Sequence, residues 1–449
     1  MMPSVSTPTR RSSIAPFVLA AAALTPALAG AQSVGVYRGV FDAREASLAS
    51  AGSVVGGSAV SALAWNPASL AFFDTREVSA AVAAAGARGH FSNRVDASGR
   101  LENAFGLVPD GAFALPLKGK PIVLAGGLLT EGAIGGSWRY QDAPGVAGAT
   151  YGLETHRSGV VVLRPTAGVG VRLGDKAAVG GSVSMLWNRN ELEAPYIFQS
   201  QQPLVGLKTL LDVHATGTGW NASLGGVVKP SERLSVAASW RSGTTLTTHG
   251  TATGDAYAQF AALGVAADAS FAYDAAVRNR FPSLLAAGAS FQASERLTVN
   301  GQLERWGWQD AFASLPISLT NGSNVVINSL VGSSTIEENV PLAWDNQVVR
   351  RLGAEYAYSP VLTLRGGYAY SPSPVPSGTL TPMTAAIVEH TIGLGAGIVQ
   401  GRYRLDAGLQ WSPAAERFVA QTDLKGSEYV ASGVSVGSHA LVVSVSRSF

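Results

Sequence analysis

The chain has 449 residues, with 32 basic and 30 acidic side chains, a formal net charge of +2 and no cysteine. The near balance of charge, without a basic stripe, argues against nucleic acid as a partner, and the missing cysteine removes disulfide scaffolds, cysteine nucleophiles and thiolate metal sites together. Charged residues make up only 14% of the chain, against 47% hydrophobic residues and 52 glycines; a water-soluble protein this poor in charge tends to precipitate, whereas lipid contact calls for apolar or small side chains on one face of every strand.

The N-terminus reads as a secretory signal peptide over residues 1–31. Arg10 and Arg11 supply positive charge, Ile14 to Leu24 form an apolar run too short to span a bilayer, and Ala29-Gly30-Ala31 is a small-residue cleavage site that leaves Gln32 as the mature start. Residues 32–73 do not alternate and are rich in Ala, Gly and Ser, as in ASLASAGSVVGGSAVSALAWNPASLAFF from Ala46 to Phe73. Ahead of a wide barrel, such a segment suits either a compact plug of the lumen or a flexible periplasmic tail. Within it Pro67 biases Asn66 away from helix, and an Asn there bonds local backbone to fix a turn.

Beyond that segment there is no apolar stretch of ~18 residues, so a membrane-embedded chain has only a closed barrel open to it, because every backbone polar group needs a partner in lipid. Period-two alternation is abundant. Leu297, Val299, Gly301 and Leu303 oppose Thr298, Asn300, Gln302 and Glu304; Leu362, Leu364, Gly366, Tyr368 and Tyr370 oppose Thr363, Arg365, Gly367 and Ala369; Tyr403, Leu405, Ala407, Leu409 and Trp411 oppose Arg404, Asp406, Gly408 and Gln410. Strands are expected near 74–88, 103–116, 121–130, 159–173, 177–189, 217–229, 232–246, 271–292, 295–309, 347–358, 361–371, 389–400, 402–412 and 437–449, fourteen in all. Short turns (118–120, 174–176, 230–231, 293–294, 359–360 and 401) alternate with long segments (131–158, 190–216, 247–270, 310–346, 372–388 and 413–436). Short turns on one side and long loops on the other are the outer-membrane pattern, and an even strand number puts both barrel ends on the periplasmic side.

Aromatic placement agrees. Trp187, Trp240, Trp306, Trp308 and Trp411 lie toward the long-loop ends of their strands, and Tyr356, Tyr358 and Tyr403 near short turns, as two interfacial belts require. In the last strand Leu441, Val443, Val445 and Phe449 share one face, which Arg447 interrupts near the periplasmic interface. A terminal aromatic on an amphipathic strand resembles the signal read by the barrel-assembly machinery. In this register Arg241, Glu304, Arg365 and Asp406 face the lumen. An arginine such as Arg241 or Arg365 suits a carboxylate headgroup, and lumenal charges also pair with one another. The six histidines show no metal spacing, and no motif accompanies any Ser-His pair. Neither an enzyme nor a cofactor or metal is therefore expected.

Several segments resemble one known family. AWNPASLAFF (Ala64 to Phe73) resembles the Asn-Pro-Ala signature in the N-terminal hatch of long-chain fatty acid transporters of the FadL type. SWRSGTTLTTHGTATG (Ser239 to Gly254), FPSLLAAGASFQASERLTVNGQLERWGW (Phe281 to Trp308) and LRGGYAYSPSPVP (Leu364 to Pro376), followed by Glu389-His390-Thr391, are similar to further family segments in family order. The resemblance implies an all-β, 14-stranded antiparallel transmembrane β-barrel (74–449) plugged by a hatch (32–73), in the bacterial outer membrane. It implies passive uptake of hydrophobic molecules, with long-chain fatty acids first, aromatic hydrocarbons as the alternative substrate, and a non-transporting adhesive surface barrel as the competing role. Substrate would leave sideways through a gap beside a kinked strand, for which Gly126-Gly127 is the candidate, and Trp65, Asn66, Pro67, Ala68 and Phe72 would border its path. The expected partners are fatty acids or hydrocarbons, outer-membrane lipid and lipopolysaccharide, and the assembly machinery acting through Phe449, with the protein a monomer. The family's extracellular helical hairpin is missing from the Gly-rich 131–158 and is expected instead in 190–216, where Pro203 to Val213 is apolar.

Overall fold

The alternating pattern is realised as strands that close on themselves. The computed structural model describes residues 39–102 and 104–449, so the expected signal peptide and residues 32–38 lie outside it. Several strands are interrupted where they bend, and counted through these breaks the wall has 14 antiparallel strands. They are β1 (Glu77–Ser92), β2 (Gly99–Glu102 and Phe105–Pro116), β3 (Ile122–Gln141), β4 (Leu153–Leu173), β5 (Ala177–Ile197), β6 (Lys208–Ser231) and β7 (Leu234–Arg241 and Thr244–Asp255). Then follow β8 (Ser270–Phe281 and Leu284–Gln292), β9 (Leu297–Trp306 and Ser314–Thr320), β10 (Ile336–Pro341 and Gln347–Ala357), β11 (Leu362–Tyr370), β12 (His390–Gln400), β13 (Tyr403–Val419) and β14 (Ser432–Ser448). Each pairs with its sequence neighbour, and β1 pairs with β14 from Glu77↔Ser448 to Ser92↔Gly433, which closes the sheet into a barrel.

The two faces sort as lipid demands. Leu285, Leu303, Leu352, Leu394, Leu405 and Leu441 are exposed on the outside, whereas Gln302, Glu304, Arg351 and Asp406 are buried in the lumen. Arg447 lies outside with its guanidinium over the rings of Tyr403 (5.2 Å) and Phe449 (4.5 Å), a snorkelling arrangement that tolerates a charge at the interface.

The strands run further on the long-loop side than the alternation indicates. The expected loop 131–158 is strand up to Gln141 and again from Leu153, and the expected loop 310–346 contributes Ser314–Thr320 and Ile336–Pro341 to the wall. Above the lipid both faces of a strand become polar, as in TTLTTHGTATGD (Thr244–Asp255), and the apolar period fades while the ladder continues. The helices expected in 190–216 are absent, because that segment is β5 up to Ile197 and β6 from Lys208, with a short loop between them.

Residues 39–73 fold inside the barrel. Asp42 caps α1 (Ala43–Ser47), its side chain accepting from the Glu45 N–H at 2.9 Å. Ser58 caps α2 (Ala59–Trp65), and Pro67 starts a 3₁₀ turn over Pro67–Phe72. These elements press their backbone onto wall glycines. A Cβ at Gly170 of β4 would lie 2.5 Å from the Ala71 nitrogen. One at Gly180 of β5 would collide with Pro67 and Ala68, and one at Gly393 of β12 with the Ala46 carbonyl. Part of the glycine content is thus the lumenal seat of this segment.

Candidate functional site

In the extracellular half the barrel encloses a cavity of about 270 Å³. Its lining is mainly apolar and includes Val160, Val162, Phe281, Phe312, Trp344 and Tyr429. Loop residues Thr379, Thr381, Met383 and Leu424 contribute from above, and on one flank the cavity reaches Gly132 of β3.

Beside Gly132 the ladder of the wall lapses. Among the described residues the β2–β3 ladder is regular from Pro116↔Val123 to Gly111↔Leu128 and resumes at Glu102↔Ser137. On its other side β3 shifts register against β4 between Thr130 and Gly132, so Glu131 is the extra residue of a bulge. Leu129, Thr130 and Glu131 are buried in succession, which breaks the alternation. Pro109 has no N–H to offer a ladder. Instead the Thr130 N–H donates to the Asp110 carboxylate (2.8 Å) and the Thr130 hydroxyl to the Pro109 carbonyl (2.8 Å), which pins the lower lip of the lapse. Gly126 and Gly127 sit just below in unbroken register, opposite Phe113 and Ala112, and the irregularity falls at Glu131 instead.

The bulge points Glu131 inward. Its carboxylate lies 2.6 Å from Arg164 Nε and 2.5 Å from Arg241 Nη1, with all three side chains almost fully buried. Arg164 also donates to the Ala64 carbonyl at 3.4 Å. The lapse, two further wall strands and the N-terminal segment therefore meet at one ion triad. Arg241, singled out from the sequence, belongs to it. Glu131 and Arg164 were missed, because Glu131 fell in an apparent loop and nothing local marks a bulge; an acidic residue closing the apolar run LAGGLLTE was the available signal.

Of the other lumenal charges, Arg365 bonds Glu355 (2.8 Å) and Asp406 (2.8 Å), and Glu304 bonds Arg351 (2.5 Å). These pairs grip the N-terminal segment: Arg44 reaches Glu355 at 2.5 Å, and Arg351 donates to the Ala49 carbonyl at 2.8 Å. Asn66 is fully buried; its Oδ1 accepts from the Ala68 N–H (3.0 Å), and its Nδ2 donates to the carbonyls of Val54 (2.8 Å) and Gly226 (3.2 Å). Asn66→Ala strands these groups in the interior and is expected to cost about 1–3 kcal/mol, read by urea unfolding in detergent. Trp65 is buried edge-on to Phe41, while Phe72 sits at the periplasmic mouth under the Lys229 ammonium, 3.6 Å from its ring centre.

Above the lipid, Asp142, His156 and Glu428 converge, with candidate ligand atoms within 4.8 Å of one another. The Lys208 ammonium already sits among them, 2.6 Å from Asp142, 2.6 Å from the Ala143 carbonyl and 3.6 Å from Glu428. With a cation of the chain's own in place, the cluster ties the 420–431 loop to the β3 and β6 ends rather than offering a vacant metal centre. His156 stacks on Tyr140 at 3.7 Å, and burial pushes its pKa down to about 3. A base with a depressed folded pKa contributes its full stability above the unfolded value and loses it as pH falls through that range. Wild type is therefore expected to lose stability relative to His156→Phe between pH 6.5 and 3, read as the difference in melting temperature between the two proteins.

Among the described residues the outer surface carries two short helices, α3 (Tyr257–Leu263) and α4 (Val325–Val331). Gly264 (φ 70°) ends the first and Gly332 (φ 74°) the second in left-handed conformation, and Asn324 caps the second through the Ile327 N–H. They flank an apolar pocket floored by Phe198, Phe271 and Ile336, with Tyr257, Leu263, Val325 and Leu330 exposed around it.

Solved structures share this architecture. A Pseudomonas aeruginosa FadL homologue aligns with a TM-score of 0.72 at 15% identity, covering 93% of this chain and 100% of its own. The Ralstonia pickettii toluene transporter TbuX aligns at 0.68 and 18% identity (91% and 98% covered), and the Pseudomonas putida toluene transporter TodX at 0.68 and 19% (89% and 97%). No curated protein sequence matches the chain. The sequence pattern described as Outer membrane protein transport protein (OMPP1/FadL/TodX) matches residues 22–449. The chain therefore belongs to this family of outer-membrane transporters of hydrophobic compounds.

Proposed function

We propose that the protein takes up long-chain fatty acids by passive diffusion, from the surface pocket between α3 and α4 to the barrel cavity and then sideways into lipid at Gly132. The observation that carries this reading is the meeting of an apolar cavity with a lapse in the β2–β3 ladder at the same residue. An alkyl chain gains ~0.8 kcal/mol for each methylene taken out of water. An aqueous pore is a poor route for such a molecule, and an exit from cavity to bilayer keeps it out of water throughout. Residues up to Phe73 act as a hatch that closes the axial route, held by glycine seats and lumenal arginines. The Glu131 triad keeps the bulge in place beside the exit.

Monoaromatic hydrocarbons are the second reading, favoured by the rings of Phe281, Phe312, Trp344 and Tyr429 in the cavity wall. Uptake of labelled oleate and labelled toluene into cells with and without the protein tests both. Faster oleate entry supports the first reading, faster toluene entry alone supports the second, and no acceleration of either rules out transport.

A further inference from the structure

Arginine is unevenly distributed on the outer face of the barrel. At the extracellular rim Arg100, Arg157 and Arg189 each pair with a carboxylate, Glu102, Glu193 and Glu191 respectively. Arg278 of β8, Arg305 of β9 and Arg350 of β10 also face outward and are exposed, with Arg280 half-buried on the same face as Arg278. Among the described residues no ion pair involves any of these four. Of the acidic residues on that face, Asp274 is bonded to Asn321 at 2.7 Å and Glu337 to the Ser318 hydroxyl at 2.7 Å.

Their height can be read from the ladder. β9 leaves the short periplasmic turn at Leu297, and Leu303 is its last outward apolar residue. At ~3.3 Å per residue and a tilt of roughly 40°, Arg305 lies roughly 20 Å above Leu297, at the upper edge of a lipid-facing band about 25 Å tall. Arg305 pairs with Val348 and Leu303 with Arg350, so the two arginines are diagonal neighbours, ~7–8 Å apart at the backbone. Arg278 and Arg280 stand higher, opposite Thr247 and Thr245, whose hydroxyl-bearing side chains are exposed beside them. Below them the exposed Trp240 and Leu285 pair with each other, and Leu285 also pairs with Arg305. The surface thus divides in one direction: guanidiniums and hydroxyls above, an indole and aliphatic side chains below.

We propose that this face of β7–β10 binds a phosphorylated glycolipid of the outer leaflet, a lipid A headgroup, with its phosphates on Arg278, Arg305 and Arg350 and its acyl chains along Trp240, Leu285 and Leu303. Guanidinium binds phosphate in a two-point fork and keeps its charge at any working pH. Arg305 and Arg350, without carboxylate partners, stand at the depth where lipid phosphates lie, and Arg278 stands above them on the same face, so the headgroup is matched in charge and in its position over the acyl chains. The site depends on placement in the outer membrane and is independent of what the lumen carries.

The test uses the purified full-length protein in phosphatidylethanolamine nanodiscs with limiting lipid A, and native mass spectrometry to count bound lipids. The Arg278→Gln/Arg305→Gln/Arg350→Gln variant is expected to hold about fivefold less lipid A than wild type, while Arg100→Gln/Arg157→Gln stays within about twofold. Dephosphorylated lipid A on the wild-type protein is expected to bind as weakly as lipid A on the triple variant, which decides the matter even if that variant fails to fold. Unchanged lipid A on a folded triple variant, or equal binding of the dephosphorylated lipid, overturns the site. Displacement by millimolar inorganic phosphate also overturns it, because the arginine face would then be reading a free anion.

Discussion

Glu131→Ala is expected to destabilise the barrel by about 3–5 kcal/mol, because it leaves the Arg164 and Arg241 guanidiniums buried without their shared carboxylate. Glu131→Gln keeps the shape and removes the charge, and is expected to lose most of the same amount. The contrast is Asp74→Ala, which breaks the Arg172–Asp74 pair at 2.8 Å, where the aspartate is 79% exposed. There water screens the pair, and the loss should stay below about 1 kcal/mol. Urea unfolding in detergent, followed by the shift between folded and unfolded bands on a gel, measures all three. A Glu131→Ala loss no larger than that of Asp74→Ala would show that the triad does not hold the bulge. Because Arg164 also reaches the Ala64 carbonyl, the variant should loosen the N-terminal segment as well, and limited proteolysis reads that separately.

Gly225→Ala is expected to unseat the N-terminal segment, while Gly226→Ala, its neighbour in sequence, leaves it alone. A Cβ at Gly225 collides with the Asn66 side-chain oxygen, whereas one at Gly226 comes no nearer than 3.8 Å, to the Ala178 carbonyl. The two residues face opposite sides of the same strand, so the pair separates a lumenal clash from a general effect of replacing glycine. Overpacking of this kind costs about 1–3 kcal/mol, and a change free of clashes is usually within about 0.5 kcal/mol. Gly180→Ala should behave like Gly225→Ala, since its Cβ meets the backbone of Pro67 and Ala68. The readouts are protease cleavage within residues 39–73 and ion conductance in a planar bilayer. Both should rise for positions 180 and 225 and stay at the wild-type level for 226; equal behaviour at 225 and 226 contradicts the seating.

The sequence is most legible where lipid dictates it. Leu297 to Glu304 must alternate because one face meets hydrocarbon, and that face is outward in the structure. The same rule accounts for the lumenal setting of Arg241, Glu304, Arg365 and Asp406, and all four are found there in ion pairs. Above the lipid the constraint disappears, and so does the signal. Thr244–Asp255 forms a strand that an apolar period does not mark, and the seven residues of Val325–Val331 are too few for a helical period to stand out. Asn66 was visible as a turn-former, but its partners Val54 and Gly226 come from the fold, and no local pattern announces a contact across 160 residues. The bulge at Glu131 was hidden for a similar reason. A register shift belongs to a pair of strands, and the glycines that suggested a kink at Gly126-Gly127 remain compatible with regular pairing.

The route itself is tested most directly with a photoreactive fatty acid, crosslinked on the folded protein in bilayers and mapped by mass spectrometry. Sideways release puts adducts on the cavity residues Phe281 and Phe312 and on the lips of the opening, at Phe105, Leu107 and Leu129. Adducts running instead along Val55, Phe72 and Lys229 at the periplasmic mouth, with the lips unlabelled, would contradict it.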